Sequence, residues 1–263
     1  MRFLIIVLIN GLFLKSVVAQ TVEKTISPWL LFGHAEIASL FPNSEIKESL
    51  PIRQNVVSQQ NYSSDAYLRI STWANSFSIK AELFNTNYKV GIATGLSFIL
   101  YETSIVGSVS ENSNYFYFRY FNKDQETKFA RVKKLGERQH FLTIPVELRY
   151  YFFSRKRYGF FIKLSSNVGW NLNSQLTIVF QDPEINAYKN EVLGVLHDSN
   201  NKFYTSLSPS VGFRYNYLHK LCINGELTMP STYLGNGYFI LTSASRYFGI
   251  KASLQVPINS KNH

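Results

Sequence analysis

Several stretches of this sequence alternate bulky apolar residues with small polar ones. Charged residues occupy some of the polar positions in these stretches. Alternation at period two places successive side chains on opposite faces of a β-strand, so these charges share the face opposite the bulky residues. Charged groups enclosed in a protein persist when an opposite charge neutralises them. The sequence therefore predicts a charge network that fills an enclosed lumen, made of Lys80, Glu82, Glu147, Arg149, Lys163, Arg214, Glu226 and Lys251. A narrow path for ions is the alternative that the same residues allow.

Other side chains that could do chemistry are scattered. The histidines lack the spacing of metal ligands: His34, His140, His197, His219 and His263. Cys222 is the single cysteine, so an intrachain disulfide and a cysteine-based zinc or redox site are excluded. A glycine-rich phosphate loop, a nucleophile elbow and a zinc signature are also missing from the sequence. We expect no metal, no cofactor and no catalytic site.

A lipid-modifying enzyme is a less favoured alternative. Such an enzyme needs a serine beside a histidine that an acid orients. His140 and Ser166 both fall on the bulky apolar face of neighbouring stretches. An antiparallel register would place His140 near Leu172, several residues from Ser166.

The elements that position these residues are stretches of alternating sequence. In the clearest of them, Ile92, Leu96 and Phe98 share one face, while Gly91 and Ala93 lie on the other. Eight such stretches predict eight strands, at 29–39, 77–83, 88–101, 142–152, 158–171, 203–217, 221–229 and 247–256. The first of these shows the weakest alternation.

The volume of the apolar side chains decides which face is enclosed. A soluble, lipocalin-like barrel would turn the apolar face inward, and a membrane barrel would turn it outward. The interior of an eight-stranded barrel is just wide enough to be filled by side chains. Because the apolar face carries several large residues per strand, the sequence predicts an all-β, eight-stranded antiparallel up-and-down transmembrane barrel with those residues in lipid.

The connections alternate between short and long. Residues 85–87, 154–157 and 218–220 form short links, while 40–75, 103–139, 173–202 and 230–245 are long. Bacterial membrane barrels have short periplasmic turns and longer extracellular loops. We therefore expect periplasmic termini and four long extracellular loops.

The first residues have the features of an export signal. Arg2 precedes an apolar run from Phe3 to Leu14, and Val17, Val18 and Ala19 supply a small-residue cleavage site. That run is shorter than the roughly 20 residues of a membrane-spanning helix. The predicted organisation is a cleaved signal peptide at 1–19 and one barrel domain at 20–263.

Composition argues against nucleic-acid binding. The chain has 27 basic and 17 acidic residues. The signal contains Arg2, Lys15 and no acid, so the mature chain keeps 27 less 2, or 25, basic residues. These charges are spread thinly rather than clustered, and an exported chain does not meet nucleic acid. The 38 Tyr and Phe residues (17 and 21) are typical of aromatic-rich β structure.

The segment 140–152 has Ile144-Pro145 near its centre and Arg149-Tyr150 near its end. It resembles a strand of the PorT-like family of small bacterial outer-membrane β-barrels. That family strand reads aromatic-x-x-Ile-Pro-aliphatic and ends in a basic-aromatic pair. Segments 95–101 and 210–215 match more weakly. The resemblance implies an outer-membrane location and an eight-stranded barrel. Most members have no assigned activity, and one branch assists protein secretion and gliding. The polar tail after Val256 departs from the aromatic residue on which such barrels usually end.

Taken together, the sequence predicts a monomeric protein of the bacterial outer membrane with a binding, scaffolding or secretion and transport accessory role. Its partners would be outer-membrane lipid and an envelope or secretion-system protein. A small porin-like channel is the main alternative. Two local features have open interpretations. Pro145 is expected to mark a bulge, and the aromatic run Tyr115 to Phe121 is either a strand extension above the membrane or a ligand-binding loop.

Overall fold

The computed structural model describes residues 29–53, 67–108, 115–121, 126–155, 157–196, 202–218, 221–234 and 238–258. The predicted signal, 1–19, lies outside these residues. The strands are β1 (Trp29–Ile46), β2 (Ile52–Arg53), β3 (Tyr67–Asn85), β4 (Val90–Ser108), β5 (Phe116–Phe121), β6 (Thr127–Ser154), β7 (Tyr158–Phe180), β8 (Phe203–Leu218), β9 (Leu221–Tyr233) and β10 (Thr242–Pro257). A 3-10 helix, Pro183–Tyr188, and a short α-helix, α1 (Lys189–Gly194), follow β7.

Eight of the strands close into an antiparallel ring. The order around it is β6-β4-β3-β1-β10-β9-β8-β7, and the pairing of β7 with β6 completes the circle. Strands β5 and β2 lie outside the ring, where β5 pairs with the start of β6 and β2 pairs with β5. The eight-stranded barrel predicted from the sequence is confirmed.

An apolar belt surrounds the ring. Its side chains alternate with buried ones along every barrel strand, and Ile37, Ile79, Leu96, Leu148 and Ile250 are each about half exposed or more. A closed barrel satisfies all backbone hydrogen bonds between its strands, which is the condition for crossing a membrane with strands. The outward direction predicted for the bulky residues is confirmed, and the barrel is a transmembrane one. Within the described residues, no helix has the length and apolar character needed to span a membrane.

One end of the barrel carries short turns, and we call it the short-turn end. Between β3 and β4, the Asn85 side chain accepts hydrogen bonds from the backbone N–H groups of Asn87 and Tyr88, both at 3.0 Å. Lys89 closes this turn with a φ of 56°, in the left-handed region. These bonds replace the sheet pairing that the chain gives up where it reverses direction.

The opposite, long-loop end continues as sheet beyond the belt. Strand β6 begins at Thr127 and β3 at Tyr67, so the strands reach well into the segments predicted as loops, and the connections are shorter than expected. Above a membrane the outward face of a strand meets water and need not be apolar, so the alternation of large apolar with small polar residues that marks the lower strands does not continue there. The predicted loop boundaries were wrong for this reason.

The aromatic run after Tyr115 forms β5. Phe116, Phe118 and Tyr120 are buried against β6, the end of β7 and α1. This apolar core at the long-loop end explains why the sheet extends past the belt. The strand-extension interpretation is confirmed for this run.

Pro145 does not form a bulge. It lies opposite Asn167 in regular register with β7. On its other side, the pairings Thr94 with Val146 and Ser97 with Thr143 keep one register across the proline. A proline removes one ladder hydrogen bond, and here the strand tolerates that loss without a register shift.

Candidate functional site

The lumen of the barrel contains a connected cluster of buried charges, here called the lumen charge network. Its members are His34, Glu36, Lys80, Glu82, Glu147, Arg149, Lys163 and Glu226, with side chains at most 3 % exposed. They come from β1, β3, β6, β7 and β9. Every one points inward because it alternates with belt residues on its strand.

Glu147 lies at the centre of one half of the network. Its Oε1 atom is 2.8 Å from Lys80 Nζ and 3.4 Å from Lys163 Nζ. Lys80 Nζ also donates to Glu36 Oε2 at 2.5 Å. Each carboxylate therefore meets an ammonium group, which offsets the cost of taking the charges out of water.

Arg149 organises the other half. Its Nη1 atom donates to Glu82 Oε2 at 3.0 Å, and its Nη2 atom donates to Glu226 Oε1 at 3.3 Å. His34 Nε2 lies 2.6 Å from Glu82 Oε2. A contact between Lys163 and Glu226 joins the two halves.

Two residues that the sequence assigned to this network lie at its margin. Within the described residues, Arg214 forms no ion pair and instead donates to the Tyr151 hydroxyl at 3.3 Å and to Cys222 Sγ at 2.9 Å. Lys251 lies opposite Glu226 on the neighbouring strand and borders the same small cavity as Glu36, with no carboxylate oxygen of the described chain within 4.0 Å.

The structure adds His34 and Glu36, which the sequence analysis did not assign. The network members are four carboxylates, at Glu36, Glu82, Glu147 and Glu226, and three cations, at Lys80, Arg149 and Lys163, besides His34. Lys251 and Arg214, at the margin, supply two further positive charges. The sequence signal that could have identified His34 and Glu36 is their spacing. Phe32, His34 and Glu36 stand at alternate positions of β1 and therefore share one face.

An aromatic layer closes the lumen on the long-loop side of the network. Tyr101 stacks on Phe239 with ring centroids 3.8 Å apart, and Phe141 packs on Tyr204 at 4.8 Å. Tyr233 contacts both Phe239 and Tyr204. Rings of this size fill the cross-section of a small barrel.

A second layer lies on the short-turn side. Phe161 lies under the Arg149 guanidinium, 4.6 Å from ring centroid to Cζ, and Tyr151 packs on Phe161 and Phe84. Arg214 covers the Phe32 ring at 5.2 Å. Beside the charges, between the two layers, the enclosed cavity at Glu36 measures only about 10 Å³, which is room for about one water molecule.

Glu137 anchors the connection between β9 and β10 at the long-loop end. Its carboxylate oxygens accept hydrogen bonds from the backbone N–H groups of Ile240 and Leu241, at 2.6 and 2.9 Å. Burial raises the pKa of Glu137, and the two backbone hydrogen bonds and Lys47 oppose that effect. Since the folded pKa is raised, the carboxyl favours the fold most at low pH, and this contribution is lost as the pH rises through that pKa.

Replacing Glu137 by alanine is expected to free the segment around Ile240. Each buried N–H left without an acceptor costs about 1–3 kcal/mol. Hydrogen exchange of the Ile240 and Leu241 amides should become faster while the belt strands keep their protection. Glu126→Ala is the control, because Glu126 forms an exposed ion pair with Lys128 at 3.5 Å. Unchanged exchange at both amides in Glu137→Ala would contradict the anchoring role.

The residues considered for lipid chemistry are far apart. His140 pairs with Asn173 and packs on the Phe98 ring at 5.6 Å, while Ser166 pairs with Val146 much further down the same two strands. A serine nucleophile needs its base within hydrogen-bond reach, so this pair does not form a catalytic site. In the described part of the chain, His, Cys, Asp and Glu side chains form no group of three or more that could hold a metal ion.

Comparison with known proteins finds similar solved structures. The outer membrane protein OprG from Pseudomonas aeruginosa has 9 % identity and a TM-score of 0.45, with 88 % of this chain and 97 % of that one covered. The Outer Membrane Protein W of E. coli has 12 % identity and a TM-score of 0.36, covering 87 % and 97 %. Neisserial surface protein A has 10 % identity and a TM-score of 0.36, covering 86 % and 96 %. No family model and no curated protein matches the sequence, so the resemblance to the PorT-like family stays a prediction.

Proposed function

We propose that this chain is a closed, monomeric barrel of the bacterial outer membrane that works through its outer surface, as a binding or scaffolding protein, and does not conduct ions. The observation that carries the proposal is the filled lumen. The charge network lies between two aromatic layers, and the space beside Glu36 holds about one water molecule.

The membrane location is supported by the belt. Even-numbered antiparallel barrels with an outward apolar band are typical of bacterial outer membranes. The predicted export signal at 1–19 would deliver the chain there. The short-turn end, which also carries the start of β1 and the end of β10, would face the periplasm.

The binding role is supported by the long-loop end. There β5, the start of β6, the end of β7 and α1 share one apolar core, which makes this end a folded platform. Phe121, Phe129 and Tyr188 remain about half exposed on it. An envelope or secretion-system protein would bind this platform, in keeping with the resemblance to the PorT-like family.

Planar-bilayer recording tests the closed lumen. We expect the wild-type barrel, inserted in a planar bilayer, to give no discrete conductance steps. A variant that removes two rings of the aromatic layer, Phe239→Ala with Tyr204→Ala, should show at most brief openings, because the charge network still fills the level below. Regular steps from the wild-type protein would contradict the proposal and favour the channel alternative.

A further inference from the structure

The belt changes composition toward the short-turn end on β7 and β8. Successive outward rows are aliphatic, then phenylalanine, then tyrosine: Ile162 with Val211, Phe160 with Phe213, and Tyr158 with Tyr215. All six side chains are exposed. Aliphatic side chains suit the hydrocarbon core of a membrane, whereas tyrosines concentrate at its interface with the headgroups. The row of Tyr158 therefore marks one edge of the hydrocarbon core.

Two arginines stand directly at this edge, in the turn between β6 and β7. Arg157 precedes Tyr158 in the chain, and the backbone N–H of Arg155 donates to the Tyr158 carbonyl at 2.7 Å. Each arginine is thus about one residue from the tyrosine row, or about 3.3 Å of strand. A membrane is about 40–45 Å thick with a hydrocarbon core of about 30 Å, which leaves about 5–8 Å of headgroup layer on each side. Both cations therefore lie in the headgroup layer.

Neighbouring groups hold the turn in place. The Asn216 N–H donates to the Arg157 carbonyl at 2.8 Å, which fastens the turn to β8. The Arg155 guanidinium lies over the Phe153 ring, with Cζ 5.4 Å from the ring centroid, within the range of a cation–π contact. The turn thus presents its cations from a fixed backbone.

An open hollow of about 620 Å³ lies beside the turn, lined by Ser154, Arg155, Arg157 and Tyr158. This volume is within the range of small-molecule sites. The lining offers two guanidinium groups, which only donate hydrogen bonds, and two hydroxyl groups that can donate as well. It contains no carboxylate. The hollow is therefore suited to an anion that accepts several hydrogen bonds.

The charge around the hollow is positive and uncompensated. Among the residues that the structure describes, no carboxylate oxygen lies within 4.0 Å of either arginine of the turn. The sequences around the three short turns, 83–92, 150–160 and 214–223, contain Lys or Arg and no Asp or Glu. A group that binds at this end must therefore bring the negative charge itself.

We propose that this hollow binds the phosphate of an anionic phospholipid in the leaflet at the short-turn end. Arginine forms paired hydrogen bonds with phosphate, and the Ser154 and Tyr158 hydroxyls would donate further bonds. The acyl chains would lie against the Phe160 row and the aliphatic row beyond it. A zwitterionic headgroup would fit less well, because its ammonium group would meet cations and no carboxylate.

This ligand is separate from the protein that we propose for the platform at the long-loop end. The inference rests on the membrane-spanning belt, and in the proposed orientation the leaflet is the periplasmic one. It assigns the two ends of the barrel different partners, with lipid at one end and protein at the other.

Lipid binding to the full mature barrel in detergent tests the hollow. The probes are a phosphatidylglycerol and a phosphatidylethanolamine with the same acyl chains, and native mass spectrometry measures their binding to the folded barrel. We expect phosphatidylglycerol to bind at least about tenfold more tightly, because each cation near an anionic headgroup contributes about fivefold. Arg155→Gln with Arg157→Gln should weaken the binding of phosphatidylglycerol about tenfold and that of phosphatidylethanolamine less.

The matched control is Arg69→Gln with Lys134→Gln. It removes the same charge from exposed sites at the long-loop end, where Arg69 stands eight residues of β3 beyond Phe77 of the belt. This control should bind both lipids like the wild type.

Equal binding of the two lipids to the wild type, or equal loss in the two double variants, would overturn the proposal. Complete displacement of phosphatidylglycerol by inorganic phosphate would also overturn it, by making the hollow a site for the free ion. The conductance record measures the lumen and not this turn, so the closed-barrel proposal and the lipid proposal fail independently.

Discussion

Alanine in place of Glu147 is expected to lower the free energy of unfolding by about 3–5 kcal/mol, because the loss of one partner leaves buried charges uncompensated. Lys80 and Lys163 both lie within 3.4 Å of this carboxylate. The measurement is the urea midpoint of the gel shift between folded and unfolded forms in detergent. Glu147→Gln keeps the volume and should be nearly as destabilising, which separates the loss of charge from the loss of packing.

Glu184→Ala is the control for that series, since Glu184 is exposed in the 3-10 helix. Its midpoint should match the wild type. If Glu147→Ala and Glu184→Ala gave equal midpoints, water would have to reach the lone lysines of the lumen. The filled lumen would then be wrong, and an ion path would become the better description.

Arginine in place of Leu148 is expected to destabilise the inserted barrel by about 2–4 kcal/mol, the cost of this side chain near the middle of the membrane. Leu148 is 52 % exposed and lies in the belt between Ile92 of β4 and Leu164 of β7. Folding yield into lipid vesicles and the urea midpoint both measure the effect.

Ser243→Arg is the control for the lipid face, because Ser243 is exposed on β10 at the long-loop end, opposite Glu45. It should fold like the wild type. Arginine at Ser165 or Ser208 is unsuitable as a control, because both side chains are 1 % exposed in the packed lumen. Equal yields for Leu148→Arg and Ser243→Arg would place Leu148 outside the lipid.

The barrel can be predicted from the sequence because large apolar side chains alternate with small or polar ones along most strands. In β4, for example, Ile92 and Leu96 alternate with Gly91 and Ala93. Strand β1 reverses this rule. Its outward face carries Gly33 and Ala35, and its inward face carries Phe32, His34 and Glu36, so the pattern did not reveal which charges the strand sends into the lumen.

The partners within the lumen are harder to predict, because they depend on the height of each residue in the tilted barrel. Arg214 and Glu226 both face inward, yet Arg214 lies among Phe32, Tyr151 and Cys222. The periodicity of a strand predicts which face of the sheet a residue lies on. The height of that residue in the barrel follows only from the register of all eight strands.

The sequence distance spanned by the lumen ion pairs has a consequence for assembly. Lys80 and Glu147 are 67 residues apart, and Arg149 and Glu226 are 77 apart. A growing sheet that contained only β1 to β6 would hold Arg149 without Glu226 and Glu147 without Lys163. Such an intermediate must keep its inner face wet until β7 and β9 arrive. Water would therefore leave this barrel late and all at once, when its last strands close the circle.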